Sequence, residues 1–326
     1  MDRRKLGSTG FEVAPVVLGG NVFGWTVDEA RSFQLLDAFV DAGFNLVDTA
    51  DSYSRWVTGH QGGESEAIIG RWIARRKRHN DVIIATKVGS SMGLGHKVLR
   101  KDYILQAAEA SLRRLQVDCI DLYQSHWDDE RTPFEETLGA YDQLIRQGKV
   151  KAIGASNLSA TRLAQALEVS GSHRLPRYQT LQPQYNLYDR DSFEGDLQAL
   201  CVRENLGVIT YFSLRAGFLT GKYRSEADLS KSARGADMKR YLNPRGMKIL
   251  DALDEVAHHY HATPAQISLA WLMARPGVTA PIASATSVDQ LEELLLATTL
   301  KLDDEAMRAL DEASRQGQLS GSTPAR

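Results

Sequence analysis

The sequence predicts an α/β fold: one (β/α)8 barrel spanning residues 1–326, plugged at one end by an N-terminal β-hairpin and carrying a long loop after its seventh strand. Three observations point there. Eight short runs rich in branched apolar residues are separated by segments with apolar residues at helical spacing, the alternation expected of consecutive βα units. Composition does not shift along the 326 residues, so nothing marks a domain boundary. Three of the runs close on polar residues, Asp48, Lys87 and His126, and polar groups at strand ends belong to the C-terminal, reactive rim of such a barrel.

Taken in order, residues 3–13 (RRKLGSTGFEV) read as two short strands around a Gly-Ser-Thr-Gly turn. Pro15 to Gly20 is the first core strand, and its glycines allow close approach of a ligand. Asp28 to Ala42 places Ala30, Phe33, Leu36 and Val40 at helical spacing. Phe44 to Tyr53 (FNLVDTADSY) is the second strand with its turn, and a long loop with Trp56 follows to Gly63. A helix over 64–76 leads to strand three, Val82 to Val88. Ile104, Ala108, Ser111, Leu112 and Leu115 mark the next helix, before strand four, Ile120 to Trp127. Thr132-Pro133-Phe134-Glu135 reads as an N-cap, a proline at the first helical position and a reaching glutamate, opening a helix to Arg146. Strand five is Val150 to Ala155, followed by a helix from Ser159. Strand six is Gln179 to Asn186, and strand seven Gly207 to Leu214, with a helix over 191–204 between them. Residues 215–243 are the least regular part, a basic segment read as a lid or binding loop. Helices over 243–260 and 264–275 follow, the second opened by a Thr263–Gln266 capping box. Val278 to Ile282 is strand eight, with helices at 287–297 and 303–314. The tail, 316–326, is expected to be flexible.

Charge narrows the function. Thirty-nine Lys and Arg against 41 Asp and Glu leave a formal net charge of -2, so no nucleic-acid partner is expected and a small molecule is. No run is long and apolar enough for a membrane span, and the first residues contain no apolar signal core, so the chain is read as cytoplasmic with no membrane partner. Cys119 and Cys201 stand alone and are read as reduced core thiols. His258, His259 and His261 end a helix with no acid or cysteine nearby, so no metal is expected there. Oligomeric state is not read from the sequence.

Alternation within the strands puts Leu46 with Asp48, Ile83 and Ala85 with Lys87, and Ile120 and Leu122 with His126 on the inner face. Tyr53 then hangs over three polar groups. A phenol titrates near ~10 and is a poor acid at neutral pH unless a cation stabilises its phenolate. Lys87 supplies that cation, Asp48 anchors it, and a ring N–H of His126 orients the substrate oxygen. None of the four can donate hydride, so a reduction needs a bound cofactor.

Here the chain resembles the aldo-keto reductase superfamily. The blocks NLVDTADSY, VIIATKVG, SLRRLQVDCIDLYQSHWDD, GKVKAIGASN, LQPQYN and FLTGKY follow that family's order over nearly the whole sequence. The resemblance implies a (β/α)8 barrel, a nicotinamide cofactor, reduction of an aldehyde or ketone, and a catalytic tetrad of Asp48, Tyr53, Lys87 and His126. It implies that Ser156, Asn157 and Gln182 bind the carboxamide and that Tyr211 stacks on the nicotinamide ring. Gly20, Asn21, Ser213, Leu214, Gly217 and Leu219 would border the cofactor. Lys222 and Arg234 would reach its phosphates, and Ser284, Thr286, Gln290 and Glu293 would lie along the adenosine. Trp25, Trp56 and Trp127, after strands one, two and four, would line a substrate pocket.

Three departures from the family pattern stand out. Tyr211-Phe212-Ser213-Leu214 replaces the usual YSPL, so a different backbone turn is expected. Ser284 and Leu294 stand where glycine and asparagine are common. Pro276 to Leu300 contains no Lys or Arg for a 2′-phosphate; with Lys222 and Arg234 in that role, NADP(H) is favoured over NAD(H). Two rival readings are a nicotinamide-binding regulatory subunit with feeble turnover and a Schiff-base lyase using Lys87.

Overall fold

Arg4–Lys5 (β1) and Glu12–Val13 (β2) pair antiparallel, folded back through Gly7 and Gly10 at φ +56° and +81°, a region open to glycine. Leu6 and Val13 pack with the side chains that fill the barrel, so the hairpin stoppers one end as the sequence predicts. The structure is a computed structural model that describes residues 2–76 and 81–315. The expected flexible tail, 316–326, lies outside the described residues.

The barrel strands are Val17–Gly19 (β3), Leu46–Asp48 (β4), Ile83–Val88 (β5), Ile120–Ser125 (β6), Val150–Ser156 (β7), Thr180–Gln182 (β8), Gly207–Thr210 (β9) and Val278–Ala283 (β10). All pair in parallel and close in the order β10-β3-β4-β5-β6-β7-β8-β9. Several are shorter than their apolar runs. Strand β8 stops at Gln182 because Pro183 has no N–H with which to continue the ladder. Strand β9 stops at Thr210, since Phe212, Arg215 and Ala216 enter the left-handed region at φ +54°, +46° and +53°. His126 lies just past β6, yet its N–H still donates to the Val88 carbonyl at 2.7 Å.

Val17, Leu46, Ala85, Leu122, Ala152, Ile209 and Ala280 fill the barrel, with Ile83 packed against them. Ile120 does not join them. As the first residue of β6 it precedes the layers that fill the barrel, and it packs in the outer core with its partner across the ladder, Val150.

The helices form the outer layer. Asp28 caps Glu29–Asp41 (α1) by accepting from the Arg31 N–H, and the buried face is Ser32, Leu35, Leu36 and Phe39. That stripe is rotated from the expected one, with Ala30 in solvent. Glu64–Arg76 (α2) crosses the C-terminal end of Lys101–Leu115 (α3) so closely that a Cβ on Gly70 would sit 2.1 Å from the Arg114 carbonyl oxygen. Gly70→Ala must therefore push two backbones apart, and a loss of about 2 kcal/mol or more is expected, read as a lower melting temperature.

In Phe134–Arg146 (α4) the expected threonine cap does not form. Thr132 donates instead to Asp129 Oδ2 at 2.7 Å, because that carboxylate gathers its whole loop, also accepting from the Leu99 N–H at 2.9 Å. Pro133 occupies the cap position, and the carboxylate of Glu136 accepts from the Lys101 N–H at the start of α3.

Ala160–His173 (α5) and Asp196–Arg203 (α6) follow, the latter starting later than expected. Residues 215–243 are more regular than expected: Arg215–Thr220, Glu226–Lys231, Gly235–Met238 (α7) and Lys239–Tyr241 are short helical turns. Pro244–Tyr260 (α8) and Pro264–Ala274 (α9) come next, α9 with the Thr263–Gln266 capping box formed. Val288–Leu295 (α10) and Asp304–Ser314 (α11) complete the layer. Trp72 and Trp271 are core, Cys201 is buried and Cys119 only half-buried. Among the described residues no helix is long and apolar enough to cross a membrane.

Candidate active site

The strand ends carry polar side chains to one rim. Asp48 is the last residue of β4, Lys87 the penultimate residue of β5, and both are buried, at 1 % and 0 % side-chain exposure. Lys87 Nζ donates to Asp48 Oδ2, to the Thr49 carbonyl and to Tyr53 Oη, each at 2.8 Å. Tyr53 Oη in turn donates to Asp48 Oδ2 at 3.0 Å, and Gln182 Nε2 to Asp48 Oδ1 at 2.8 Å. The ammonium thus has three acceptors for three protons, and the buried carboxylate is bonded on both oxygens, which is how a charged pair tolerates burial.

Burial, and then the Asp48 carboxylate, hold the Tyr53 phenol well above its ordinary range, with Arg234 pulling the other way. Burial lowers Lys87 against the opposing pull of Asp48. Tyr53 is therefore protonated in this arrangement. Before it reaches anything else, its one proton must turn away from Asp48, while the bond received from Lys87 can stay.

His126 is held well below the usual imidazole range, by burial first and then by Lys87 and Lys97. It is neutral near pH 7 and carries a single ring proton. Ser52 Oγ lies 3.4 Å from its Nδ1. With that hydroxyl donating, the proton sits on Nε2. The ring stands edge-on to Tyr53 with centroids 6.1 Å apart and stacks on Trp127.

Above these groups opens a cleft of about 1070 Å³, room for a dinucleotide and a small second ligand. Asp48, Tyr53 and His126 line it, and so do Trp25, Trp56 and Trp127. So do Asn21, Ser156, Asn157, Gln182, Tyr211, Ser213, Leu214, Gly217, Lys222, Arg234, Ser284, Thr286, Gln290 and Glu293. Lys87 does not line the cleft itself but bonds to two side chains that do, Asp48 and Tyr53. Gly20 and Leu219 do not line the cleft. Both are buried, Leu219 with its side chain in the outer core.

The lining groups are braced. Tyr211 donates to Asn157 Oδ1 at 2.7 Å, and Asn157 Nδ2 donates to the His126 carbonyl at 2.9 Å. Ser156 donates to the Gln182 carbonyl at 2.7 Å. Ser284 donates to Asn21 Oδ1 at 2.6 Å, across a seam where a Cβ on Gly19 would meet Ser284 Oγ at 2.5 Å. Ser287 caps α10, and Gln290 Oε1 accepts from the Thr286 N–H and hydroxyl. The Arg234 guanidinium lies 4.8 Å over the Trp25 ring, and Trp25 meets Trp56 edge-on at 5.6 Å.

The hydrogen-bonding side chains of Ser156, Asn157 and Gln182, the Tyr211 ring and the cations Lys222 and Arg234 all line this cleft, a set whose chemistry suits a nicotinamide dinucleotide. Two contributors escaped the sequence reading. Ser52 lies inside the Phe44–Tyr53 stretch, where a hydroxyl one residue before the tyrosine was the available signal. The Thr49 carbonyl is backbone and leaves no side-chain signal.

Residues 15–315 match the profile of the Aldo/keto reductase family. Among curated proteins, the chain is 33% identical to an uncharacterized oxidoreductase, YrpG, of Bacillus subtilis, covering 96% of this chain and 95% of that protein. It is 30% identical to protein tas of Escherichia coli, covering 95% and 97%. It is 29% identical to the aldo-keto reductase yakc [NADP(+)] of Schizosaccharomyces pombe, covering 92% and 87%.

Proposed function

The chain belongs to the aldo/keto reductase family, and from that premise we propose that it reduces an aldehyde or ketone to the alcohol, reversibly, with Tyr53 as the proton donor. The observation that carries this reading is the triangle of Tyr53 Oη, Lys87 Nζ and Asp48 Oδ2, with sides of 2.8, 2.8 and 3.0 Å.

Ser156, Asn157, Gln182 and Tyr211 would hold the nicotinamide end of the cofactor, and Lys222 and Arg234 its phosphates. A bound nicotinamide would supply the hydride. The chain's own groups do the rest. Neutral His126 donates from Nε2 to the substrate oxygen and fixes its position. The phenol proton swings from Asp48 to that oxygen, and the phenolate left behind keeps the bond from Lys87. Trp25, Trp56 and Trp127 give the substrate an apolar, partly aromatic wall, so a carbonyl compound with an apolar body is the substrate class in this reading.

A Schiff-base role for Lys87 runs against the geometry, because three acceptors engage its three protons and leave no lone pair for attack. NADPH is the preferred cofactor in this reading, through Lys222 and Arg234; the NADP(+) in the name of the S. pombe relative runs the same way.

The test is spectrophotometric. NADPH and NADH are titrated separately, then loss of reduced-nicotinamide absorbance is followed with a panel of aldehydes, ketones and sugars. Tighter binding of NADPH and turnover of at least one aldehyde are expected. Tight binding with no turnover on any carbonyl compound would favour a cofactor-sensing role instead.

A further inference from the structure

Behind the triangle lies a second buried acid. The backbone of residues 49–51 runs along β5, the Thr49 N–H donating to the Ala85 carbonyl and the Asp51 N–H to the Lys87 carbonyl at 3.2 Å. Asp48 turns into the cleft. Asp51, 3 % exposed, does not line it. Among the described residues its Oδ1 has no hydrogen-bond partner.

The charges around Asp51 do not balance. Lys87 is engaged by Asp48, and Arg114 by Glu66, whose Oε2 accepts from the Arg114 Nε–H at 2.7 Å. Glu66 Oε1 accepts from Thr86 at 2.5 Å. Three buried carboxyl groups thus share two cations, and the one with an orphaned oxygen is Asp51. Among the described residues, the other titratable groups that face it are phenols: Tyr103 on α3, Tyr123 on β6, whose hydroxyl is likewise unpartnered, and Tyr141 on α4. None of these brings it a positive charge.

We propose that Asp51 is a positioning residue for the proton step: uncharged behind Lys87, it leaves that ammonium free to stabilise the Tyr53 phenolate, and its ionisation sets the alkaline limit of carbonyl reduction. Burial, and then the charge of Glu66, push this carboxyl up to about 8, with Arg114 and Lys87 pulling it down. Above that pH a second negative charge acts on Lys87, and the phenolate loses part of its stabilisation. The inference rests on the carbonyl-reduction reading above.

The experiment is the pH profile of kcat for the best aldehyde of the panel, at saturating NADPH, in wild type and in Asp51→Asn, which keeps the shape of the uncharged acid. With an inactive ionised form, wild-type kcat at about pH 9 is expected to fall to roughly a tenth of its plateau. The variant is expected to hold its plateau at least about one pH unit further. In parallel, infrared spectra of the wild type are expected to show a protonated-carboxyl stretch that fades around pH 8. This measurement requires neither turnover nor the variant's folding. Normal turnover with superimposable profiles, or no such band in the wild type, overturns the role of Asp51 and leaves the reductase reading standing. Absence of all carbonyl turnover would instead sink both.

Discussion

Tyr53→Phe is expected to lower kcat for carbonyl reduction by at least ~10²-fold, the low end for loss of a general acid, while cofactor affinity stays within about twofold. The substitution removes one oxygen and little else. The ring keeps its neighbours, with Lys87 Nζ 4.5 Å from its centroid and Trp56 6.2 Å away. The Asp48–Lys87 pair keeps its 2.8 Å contact and the Gln182 amide keeps its bond to Asp48. What disappears is, among the described residues, the only cleft-lining hydroxyl bonded to both members of that pair. Single-turnover mixing of the variant–NADPH complex with aldehyde separates the chemical step from binding and release, and the loss should appear wholly in the former. Wild-type rates in that experiment would remove Tyr53 from the proton step. Because the phenol is held well above its ordinary range, no loss of its proton to solvent is expected to limit the wild type below about pH 9.

The parts of this arrangement that were legible from sequence are those that strand geometry dictates. Asp48 and Lys87 close apolar runs, and period-two alternation places them inward with Leu46 and Ala85. Tyr53 sits in a turn with no periodicity, and its place above Lys87 was read from its position in the short polar loop just after Asp48. What stayed illegible depends on contacts between distant segments. Gly20 and Leu219 were expected by resemblance to border a cofactor, yet a glycine presents no side chain, and Leu219 is drawn into the core within a short helical turn. The end of β9 is set by left-handed Phe212, Arg215 and Ala216 rather than by loss of apolar character. The threonine expected to cap α4 was taken by Asp129, a competition between two nearby partners that a local motif does not weigh. The seating of Arg234 on Trp25 joins the long segment after β9 to the loop after β3, and no local signal announces it.

Lys87→Met should be at least as damaging to kcat as loss of the phenol oxygen, and unlike Tyr53→Phe it should also destabilise the fold. Methionine fills much the same volume, so the effect is one of charge. Asp48, 1 % exposed, loses its cation and keeps only the bonds from Gln182 and Tyr53. Breaking a buried pair from one side costs roughly 3–5 kcal/mol, readable in urea unfolding. Adding Asp48→Asn should then restore most of the lost stability at neutral pH without restoring turnover, because the phenolate still has no cation. Recovery of activity together with stability in the double variant would mean that the pair only supports the fold and that some other group makes Tyr53 acidic. Stability unchanged in Lys87→Met would mean that the carboxylate is neutral or otherwise paired, and the triangle would lose its electrostatic basis.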